Sequence, residues 1–568
     1  MDPAAPWLAH YDQGVPATLA PYPNRTILDY IALAARDYPN QAALLFKGSK
    51  TTYAELDRLS DACAAAFASL GIRRGDRVAL LMPNCPQFVI AELGAWKIGA
   101  IVAPLNPTYA DRELELPLRE NGIENIVTLT RFYGRVKSIQ PRTPLKRVIA
   151  TNIKEYFPPL LRLLFTAFRE KRDGDRVSLA PGDHDFAHLL LVNRDRKPPR
   201  EAIGGDDPAI LLLSGGTTGT PKGVLGKHAA YVLTGLQIGA WFASVLEPRK
   251  DVVLTALPLF HVYANLGLQP MAFVAASALA LVPNPRDVAD VIATIKRVRP
   301  TFFPAVPTLF IALLHNDDVQ AGKVSFKSIK ACFSGASALM ADTKQRFEEL
   351  TGGRIIEGYS LTEAMMALCA NPVKGPNKIG SVGMPFPDVQ VRIFDDEEGT
   401  RVLPAKQVGE ICFSAAQLMT AFWNRPEETA SALRDHVEAG GTRRWLHTGD
   451  LGYLDEDGYL FIVDRKKDLI KTSGYQVWPR EVEEVLATHP AVKEVGVAGV
   501  PDPVRMEAVK AWVVLRSGQA ASEHDLRTYC REHLAPFKVP SSIEFRTELP
   551  KTMVGKVLRR ALRDESTK

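Results

Sequence analysis

Residues 211–223 read LLLSGGTTGTPKG, an apolar run that leads directly into a loop of glycines, hydroxyl residues and one lysine, Lys222. The three leucines predict a buried strand. Glycines let backbone N–H groups converge on an anion, and the hydroxyls and the ammonium add further donors. The loop differs from the common nucleotide-triphosphate motif, because Lys222 lies between Pro221 and Gly223 instead of in Gly-Lys-Ser/Thr. A flexible turn would explain the glycines but not the hydroxyls, so the pattern favours a phosphate site.

Strand-like and helix-like segments alternate on both sides of this loop. Residues 78–82, 100–104 and 209–213 are short apolar runs typical of buried strands, and residues 53–70 form an amphipathic helical pattern. This alternation predicts an α/β fold with mainly parallel sheets.

The length of 568 residues and a charged run near the end of the chain predict two domains. The run DRKKD at 464–468 follows a strand-like segment and precedes a further compact α/β pattern. We therefore predict a large domain at 1–465, a small domain at 466–568, and a hinge between them.

Composition disfavours several classes of protein. The net charge is only +5 and no basic run is interleaved with aromatic residues, which disfavours a nucleic-acid partner. The six cysteines are scattered without a Cys-x-x-Cys pair, which argues against a zinc site and a disulfide framework. The N-terminal residues do not read as a secretory signal, so we expect a cytoplasmic protein.

One segment needs testing as a membrane span, because residues 252–285 contain no Asp, Glu, Lys or Arg. Pro258, Pro270 and Pro283 interrupt the run, and its β-branched pieces favour buried strands. We therefore expect it to belong to the core of the fold.

Four further motifs follow the glycine-rich loop along the chain. Residues 334–338 read SGASA, 357–363 read EGYSLTE, 446–450 read LHTGD and 550–556 read PKTMVGK. Together with the loop, these motifs resemble, in the same order, those of the adenylate-forming enzymes. That superfamily contains acyl-CoA ligases, peptide-synthetase adenylation domains and beetle luciferases. The resemblance spans about residues 6–563.

The resemblance implies an ATP site with a bound magnesium ion. Tyr359 would lie near adenine, Asp450 would hold the ribose hydroxyls, and Thr362 would meet phosphate, while Glu363 and Ser214 would bind Mg²⁺. The implied ATP-binding residues are Ser214, Gly215, Gly216, Thr217, Thr218, Gly219, Lys222, Gly335, Ala336, Glu357, Gly358, Tyr359, Ser360, Thr362, Asp450, Arg465 and Lys556.

The resemblance also implies a large N-terminal domain with two sheets and a barrel-like part, and a small mobile α+β lid. Lys467 would occupy the hinge, and Thr362, Glu363, Lys471 and Lys556 would be catalytic. Lys556 would act in formation of an acyl-adenylate. After rotation of the lid, Lys471, Ser473 and Gly474 would form the face that receives coenzyme A.

The acid is expected to be a long-chain fatty acid. Residues 258–263 read PLFHVY and resemble the family segment that lines the acyl pocket, which assigns His261, Val262 and Tyr263 to its wall. The double glycine of the loop is typical of bacterial long-chain ligases. An aryl or medium-chain acid:CoA ligase shares every catalytic motif and remains an alternative. The tryptophan gate of some long-chain enzymes has no counterpart near Ala264, and Met506 replaces a common glycine.

The segment 156–172 combines many apolar side chains with a narrow polar stripe on a predicted helix. It suits either peripheral association with a membrane surface or docking on the protein itself. A twofold homodimer is the default expectation for a soluble oligomer.

Three alternatives come from other functional classes. They are a non-catalytic acyl-binding, membrane-associated protein, a stand-alone peptide-synthetase module, and a zinc hydrolase that uses His184 and His188. The zinc alternative lacks a glutamate of the His-Glu-x-x-His type between the histidines.

Overall fold

The computed structural model describes residues 5–198, 201–214, 221–337, 339–438, 440–472, 475–502, 505–552 and 556–566. Several predicted site residues lie outside these ranges, namely Gly215, Gly216, Thr217, Thr218, Gly219, Ser473 and Gly474.

The strands of the described residues are, in chain order, β1 Ala42–Phe46, β2 Ser49–Thr52, β3 Arg77–Leu81, β4 Ile101–Leu105, β5 Asn125–Leu129, β6 Arg147–Thr151, β7 His184–Asp185, β8 Pro208–Ser214, β9 Lys222–Lys227, β10 Val252–Thr255, β11 Ala278–Leu281, β12 Phe302–Ala305, β13 Ala331–Ser334, β14 Arg354–Tyr359, β15 Cys369–Ala370, β16 Met384–Pro385, β17 Gln390–Phe394, β18 Gly409–Ser414, β19 Ala421–Phe422, β20 Leu433–Glu438, β21 Gly441–Leu454, β22 Leu460–Arg465, β23 Ile470–Thr472, β24 Tyr475–Val477, β25 Val492–Asp502, β26 Met506–Leu515 and β27 Ser542–Phe545.

The α-helices are α1 Ile27–Asp37, α2 Tyr53–Ser69, α3 Pro86–Lys97, α4 Asp111–Glu120, α5 Thr130–Ile139, α6 Pro159–Leu164, α7 Phe186–Asn193, α8 His228–Trp241, α9 Gln269–Val274, α10 Val288–Val298, α11 Pro307–Leu314, α12 Asp317–Gln320, α13 Ala341–Thr351, α14 Pro426–Ala432, α15 Pro479–Ala487, α16 Glu523–His533 and α17 Arg559–Ser566. Short π-helical turns cover Phe165–Arg169 and Tyr263–Leu268, and a 3-10 turn covers Lys466–Asp468.

Two large mixed sheets contain most of the parallel strands. One has eight strands in the order β19-β9-β8-β4-β3-β5-β6-β7, and the other has nine in the order β16-β15-β14-β13-β12-β10-β11-β1-β2. Their central pairs are parallel. The predicted strands at 78–82, 100–104 and 209–213 are β3, β4 and β8, and the predicted helix at 53–70 is α2, so the α/β prediction is confirmed.

Two further sheets follow along the chain. The barrel-like part expected from the resemblance is, in the described residues, an antiparallel sheet in the order β17-β18-β21-β20, with β22 paired to β21. The last sheet has the order β24-β23-β26-β25, with β27 paired to β26. Its strands and α15 and α16 enclose a separate apolar core that includes Val482, Val497 and Leu526. The mixed fold with a small C-terminal unit is therefore as predicted, while the boundary at 465 stays a prediction.

Residues 252–281 lie within the nine-stranded sheet and its packing layer. They form β10, the π-helical turn Tyr263–Leu268, α9 and β11, and most of these residues are buried. In the part of the chain that is described, no helix is both long enough and apolar enough to cross a bilayer.

The structure corrects two details of the sequence analysis. The segment 156–172 is not one regular helix, because α6 ends at Leu164 and a π-helical turn follows. His184 and His188 do not share a helix, since His184 lies on β7 and His188 on α7. The helical ligand spacing proposed for a zinc hydrolase is therefore wrong.

All six cysteines are buried free thiols.

Candidate functional site

The glycine-rich loop leaves the eight-stranded sheet and returns to it. Ser214, the last residue of β8, is the antiparallel register partner of Lys222, the first residue of β9. The two ends of the loop are therefore held side by side. The Lys222 ammonium lies 4.9 Å from the centre of the Phe422 ring, a cation–π contact.

A buried carboxyl group lies beside Ser214. Burial raises the pKa of Glu363, and the hydroxyl of Ser214 and the positive charge of Arg465 only partly oppose that effect. A nearby cation strongly stabilises the charged form of a buried carboxyl group. Thr362 and Glu363 occupy the turn after β14, which continues through Met365 and Met366 in left-handed conformations with φ of 47° and 62°. Strained residues of this kind are concentrated at functional sites.

Tyr359, Asp450 and Arg465 form a connected group across two sheets. The Tyr359 hydroxyl donates to Asp450 Oδ2 at 2.5 Å, and Arg465 Nε lies 3.1 Å from Asp450 Oδ1. Asp450 and Arg465 are register partners on β21 and β22. Burial, and next the Asp450 carboxylate, raise the pKa of Tyr359, so the phenol remains a donor. The Tyr359 ring centre is 5.8 Å from that of Phe413.

The neighbouring predicted residues line the ends of β13 and β14. Gly335 follows β13, and an added Cβ there would lie 3.3 Å from the Tyr263 ring. Ala336 has φ +70°, and Gly358 has no room for a side chain because Phe333 would lie 2.3 Å from its Cβ. The fold therefore leaves little space for a side chain at residue 335 and none at residue 358.

Two polar residues of this group are held by other parts of the protein. Glu357 accepts from the Lys344 ammonium at 3.1 Å. The Ser360 hydroxyl donates to the carbonyl of Ala367 at 2.9 Å.

Cations from three parts of the chain converge on the same group. Burial lowers the pKa of Lys467, and the positive charge of Arg465 has the next largest lowering effect. The positive charge of Lys222 also lowers this pKa. Lys556 comes from the far C-terminal end of the chain. Its pKa is lowered to about 8, mainly by burial and next by the charge of Arg465, while Asp450 opposes that effect. The positive groups here outnumber the carboxylates Asp450, Asp468 and Glu363, which favours binding of a polyanion.

Contacts around Asp464 hold the C-terminal unit in this arrangement. Arg559 donates to Asp464 Oδ1 at 2.7 Å and to Glu483 Oε2 at 2.6 Å. The backbone N–H of Arg480 donates to Asp464 Oδ2 at 2.7 Å. Sequence reasoning missed Arg559 and Asp464, because each is an ordinary charged residue until the fold brings it to the hinge.

Lys471 lies elsewhere. It is exposed on β23, and its backbone N–H donates to Glu507 Oε2 at 2.8 Å. The described residues therefore do not bring Lys471 to the group around Asp450, and its predicted partners Ser473 and Gly474 are outside the described ranges.

His261, Val262 and Tyr263 adjoin the end of β13. The Tyr263 hydroxyl donates to the carbonyl of Phe333 at 3.1 Å. Burial lowers the pKa of His261 to about 4, so the ring is neutral near pH 7. Its Nδ1 accepts the backbone N–H of Tyr263 at 3.3 Å. The ring proton is thereby placed on Nε2.

The fold and the site together define a class of protein. The mixed α/β sheets and the antiparallel sheet that follows them carry a hydroxyl-rich loop, a tyrosine–aspartate pair and converging cations. A lysine from a C-terminal unit completes the group. This is the arrangement of a nucleotide-dependent, adenylate-forming enzyme.

Comparison with known families agrees with this class. Residues 31–423 match the model of the AMP-binding enzyme family, and residues 481–556 match that of the AMP-binding enzyme C-terminal domain. The chain belongs to the AMP-binding enzyme family.

Relatives and solved structures of similar length were also found. A long-chain-fatty-acid–CoA ligase of Bacillus subtilis is 39% identical over 100% of this chain and 99% of its own length. One of Yersinia pestis is 37% identical over 99% and 98%. The anthranilate CoA ligase AuaEII in complex with anthranoyl-AMP has 27% identity and a TM-score of 0.81, covering 96% of this chain and 98% of its own. ATP-bound MatB from Rhodopseudomonas palustris has 26% identity and a TM-score of 0.80, covering 96% and 99%.

Proposed function

We propose that this protein is an ATP-dependent long-chain fatty acid:CoA ligase that acts through an acyl-adenylate. The relatives named long-chain-fatty-acid–CoA ligases and the family match support the reaction class. The observation that carries the mechanism is the position of Lys556, whose ammonium lies within electrostatic range of Arg465 and Asp450.

The first step activates the acid. A carboxylate oxygen of the fatty acid attacks the α-phosphorus of ATP, the bond to the β-phosphate breaks, and pyrophosphate leaves with the electron pair. Negative charge increases on phosphate oxygens during this step. Lys556, Lys222 and Arg465 offer fixed positive charge at that place, which is the kind of preorganised electrostatics that lowers such a barrier.

Glu363 and Ser214 fit a magnesium ion. The Glu363 carboxyl is buried beside the Ser214 hydroxyl, and burial raises its pKa, so a hard cation with oxygen ligands would stabilise its charged form. When bound, Mg²⁺ neutralises charge on the phosphates. Glu363 and Ser214 would hold it, and Thr362 in the same turn would donate to phosphate.

The second step forms the thioester. The thiolate of coenzyme A attacks the acyl carbonyl carbon, and AMP leaves with the oxygen of the broken anhydride bond. We infer that the unit 466–568 turns about Lys467, removes Lys556 and presents Lys471, with Ser473 and Gly474 beside it, to the acyl-adenylate. The exposure of Lys471 on β23 supports this alternation, because it leaves that lysine free to enter the site.

His261 is proposed to bind the carboxylate end of the acid. Because its Nδ1 accepts from Tyr263, the Nε2–H is available to donate to an acid oxygen. The pKa of about 4 keeps the ring neutral, so it orients the acid without forming an ion pair that would weaken the nucleophile. The wall beyond it is close-packed at Gly267, where a Cβ would lie 3.1 Å from Met366 Cε.

A panel of acids tests the proposal. AMP release is measured with ATP and Mg²⁺ for acids from acetate to oleate and for aryl acids, with and without coenzyme A. We expect the highest kcat/KM with long-chain acids and full turnover only with coenzyme A. A preference for benzoate-type or medium-chain acids would favour the alternative ligase. No AMP and no ATP–pyrophosphate exchange with any acid would favour the non-catalytic acyl-binding protein.

We further propose that α6 and the turn after it bind a membrane surface, where a long-chain acid would be delivered. Leu160, Leu163 and Phe168 are 69%, 66% and 71% exposed. Arg162 lies among them, and Lys171 and Arg172 follow. Apolar side chains beside cations suit a bilayer that contains anionic lipids. Cytoplasmic location and a homodimer stay predictions.

Vesicle flotation tests the membrane proposal. The double variant Leu163→Glu, Phe168→Glu is compared with Val437→Glu, which changes a 90% exposed side chain on β20. We expect the double variant to lose flotation with vesicles containing phosphatidylserine, and the Val437 variant to keep it. Equal flotation of the wild-type protein and the double variant would contradict the proposal.

A further inference from the structure

A chain of three polar side chains runs from a surface pocket to the turn that carries Asp450, which is a bulge of β21 at residues 448–450. Glu410 Oε1 accepts the backbone N–H of Gly449 at 2.9 Å, and its other oxygen lies 3.1 Å from His447 Nδ1. His447 Nε2 lies 3.1 Å from His436 Nε2. Glu410 and His447 are almost fully buried, with side-chain exposures of 7% and 2%. His436 reaches the wall of a surface pocket of about 380 Å³.

The hydrogen-bond directions in this chain follow from the chemistry of its members. Although burial works against it, His447 and the Gly449 N–H lower the pKa of Glu410, so the group is a carboxylate and can only accept. His447 Nδ1 must therefore carry a proton. In this tautomer, Nε2 of an uncharged His447 ring would accept from His436 Nε2–H. Each neighbour thus fixes the tautomer of the next.

This turn is also held by the pairing of β21 with β18 and β22, in which Asp450 is the register partner of Arg465. The Thr448 hydroxyl donates to the carbonyl of Ile411 at 2.7 Å and accepts the Asp450 N–H at 3.0 Å. Gly449 has φ +71°, a conformation that lets its N–H point away from the strand and toward Glu410. Glu410 is the only charged group that an N–H of residues 448–450 contacts among the described hydrogen bonds.

We propose that Glu410 is a positioning residue for the nucleotide, acting through Gly449 and His447 to fix the turn that presents Asp450. The inference rests on the proposed function, in which Asp450 binds the ribose hydroxyls. The side chains of Tyr359 and Arg465 bind Asp450 Oδ2 and Oδ1, respectively. Glu410 fixes the backbone from which Asp450 projects, so the carboxylate is oriented before ATP arrives.

The same residues could instead bind a metal. Glu410, Cys412 and His447 are buried, and their ligand atoms lie within 4.8 Å of one another. A metal on His447 Nδ1 would displace the proton that the carboxylate accepts. The hydrogen bonds account for both Glu410 oxygens and for both ring nitrogens of His447 without a metal.

Glu410→Gln is the direct test, because the amide keeps the shape but removes the charge. Its NH₂ group would face either His447 Nδ1–H or the Gly449 N–H, so one of the two hydrogen bonds is lost. ATP–pyrophosphate exchange is measured with ATP and with 2′-deoxy-ATP. We expect the KM for ATP to rise about tenfold, as for loss of a hydrogen bond to a charged group, with little change in kcat. The preference for ATP over 2′-deoxy-ATP should fall.

Four other variants separate the outcomes. Cys412→Ser, on the same strand and in the same layer, should leave the KM and the ribose preference unchanged. His447→Asn should retain both, because its Nδ2–H replaces the Nδ1 donor. If Glu410→Gln does not fold, His447→Phe removes the same donor and should raise the KM. Asp450→Asn should lose the ribose preference.

Each contrary result has a definite meaning. If Asp450→Asn loses the ribose preference but Glu410→Gln, or His447→Phe in its place, keeps it, the positioning proposal is overturned and the proposed function stands. If Asp450→Asn keeps the preference, the ribose assignment is wrong and this inference is lost with it. An effect of Cys412→Ser equal to that of Glu410→Gln would indicate general packing. A stoichiometric metal in the purified protein, found by elemental analysis, would also overturn the proposal.

Discussion

Two lysines of the C-terminal unit occupy opposite environments. Lys556 is buried near Asp450, Arg465 and Asp468, and burial lowers its pKa to about 8. Lys471 is exposed on β23, and its backbone N–H donates to Glu507. Both have the same functional group and lie on the same small unit of the chain.

Under the proposed function, the difference indicates that a single arrangement of the two units serves only one step. Arg559 and Arg480 bind Asp464 and hold the unit so that Lys556 is inside. In that arrangement Lys471 is exposed on β23, and none of the described ion pairs joins it to Asp450. A second step that uses Lys471 therefore needs the unit to turn, and the two lysines should be separable by experiment.

The largest effect is expected for Lys556→Ala on acyl-adenylate formation. Loss of a fixed positive charge from the phosphate site should slow ATP–pyrophosphate exchange by about 100-fold or more. Thioester formation from synthetic acyl-AMP should change little. Lys551→Ala is the matched control, since Lys551 lies in the same segment but pairs with Glu494 at 2.7 Å. A comparable loss in both half-reactions would contradict the assignment.

The next effect is expected for Lys471→Ala on thioester formation. With synthetic acyl-AMP and coenzyme A, the rate should fall by about tenfold or more, because positive charge near the attacking thiolate is lost. ATP–pyrophosphate exchange should remain close to that of the wild-type protein. Lys493→Ala, another exposed lysine of the same unit, should leave both rates unchanged. Loss of exchange in the Lys471 variant would place that lysine in the first step.

The pH dependence should differ between the two steps. The free enzyme needs the Lys556 ammonium, so kcat/KM for ATP should be constant below its pKa of about 8. Above that pH it should fall by up to about tenfold per unit as the ammonium loses its proton. Lys556→Arg should be slower but should lack this alkaline loss, because guanidinium stays charged. An unchanged pH profile in the Lys556→Arg variant would assign the ionisation to another group.

The smallest effect is expected at Met506, beside Lys471. Met506 has φ +68°, is 71% exposed and pairs with Thr472 on β23. Because left-handed backbone favours glycine, Met506→Gly should raise the free energy of unfolding by about 0.5 to 1 kcal/mol. Denaturant unfolding measures it. A decrease, as expected for glycine in an ordinary strand, would mean that the left-handed strain at residue 506 is not significant.

Local sequence patterns predicted much of the fold. The strands β3, β4 and β8 were predictable because apolar runs of that length are buried in parallel sheets, and α2 because its apolar residues recur at helical spacing. The prediction of a single helix at 156–172 was wrong. The spacing of its apolar residues does not reveal the π-helical turn that follows Leu164. The contact between Ser214 and Lys222 depends on an antiparallel return that no local pattern requires.

The sequence by itself determined the alternation of strands and helices and the family of the chain, because these depend on residue types at short spacing. Phosphate binding by the loop stays a prediction. Only the tertiary structure decided which charged residues meet. Asp450 and Tyr359 are 91 residues apart, and Arg559 and Asp464 are 95 apart. The tertiary structure also joined Glu410, His447 and His436 into one chain. Contacts of this kind arise from the packing of distant elements, and the free energy of burying charge then selects which groups remain paired.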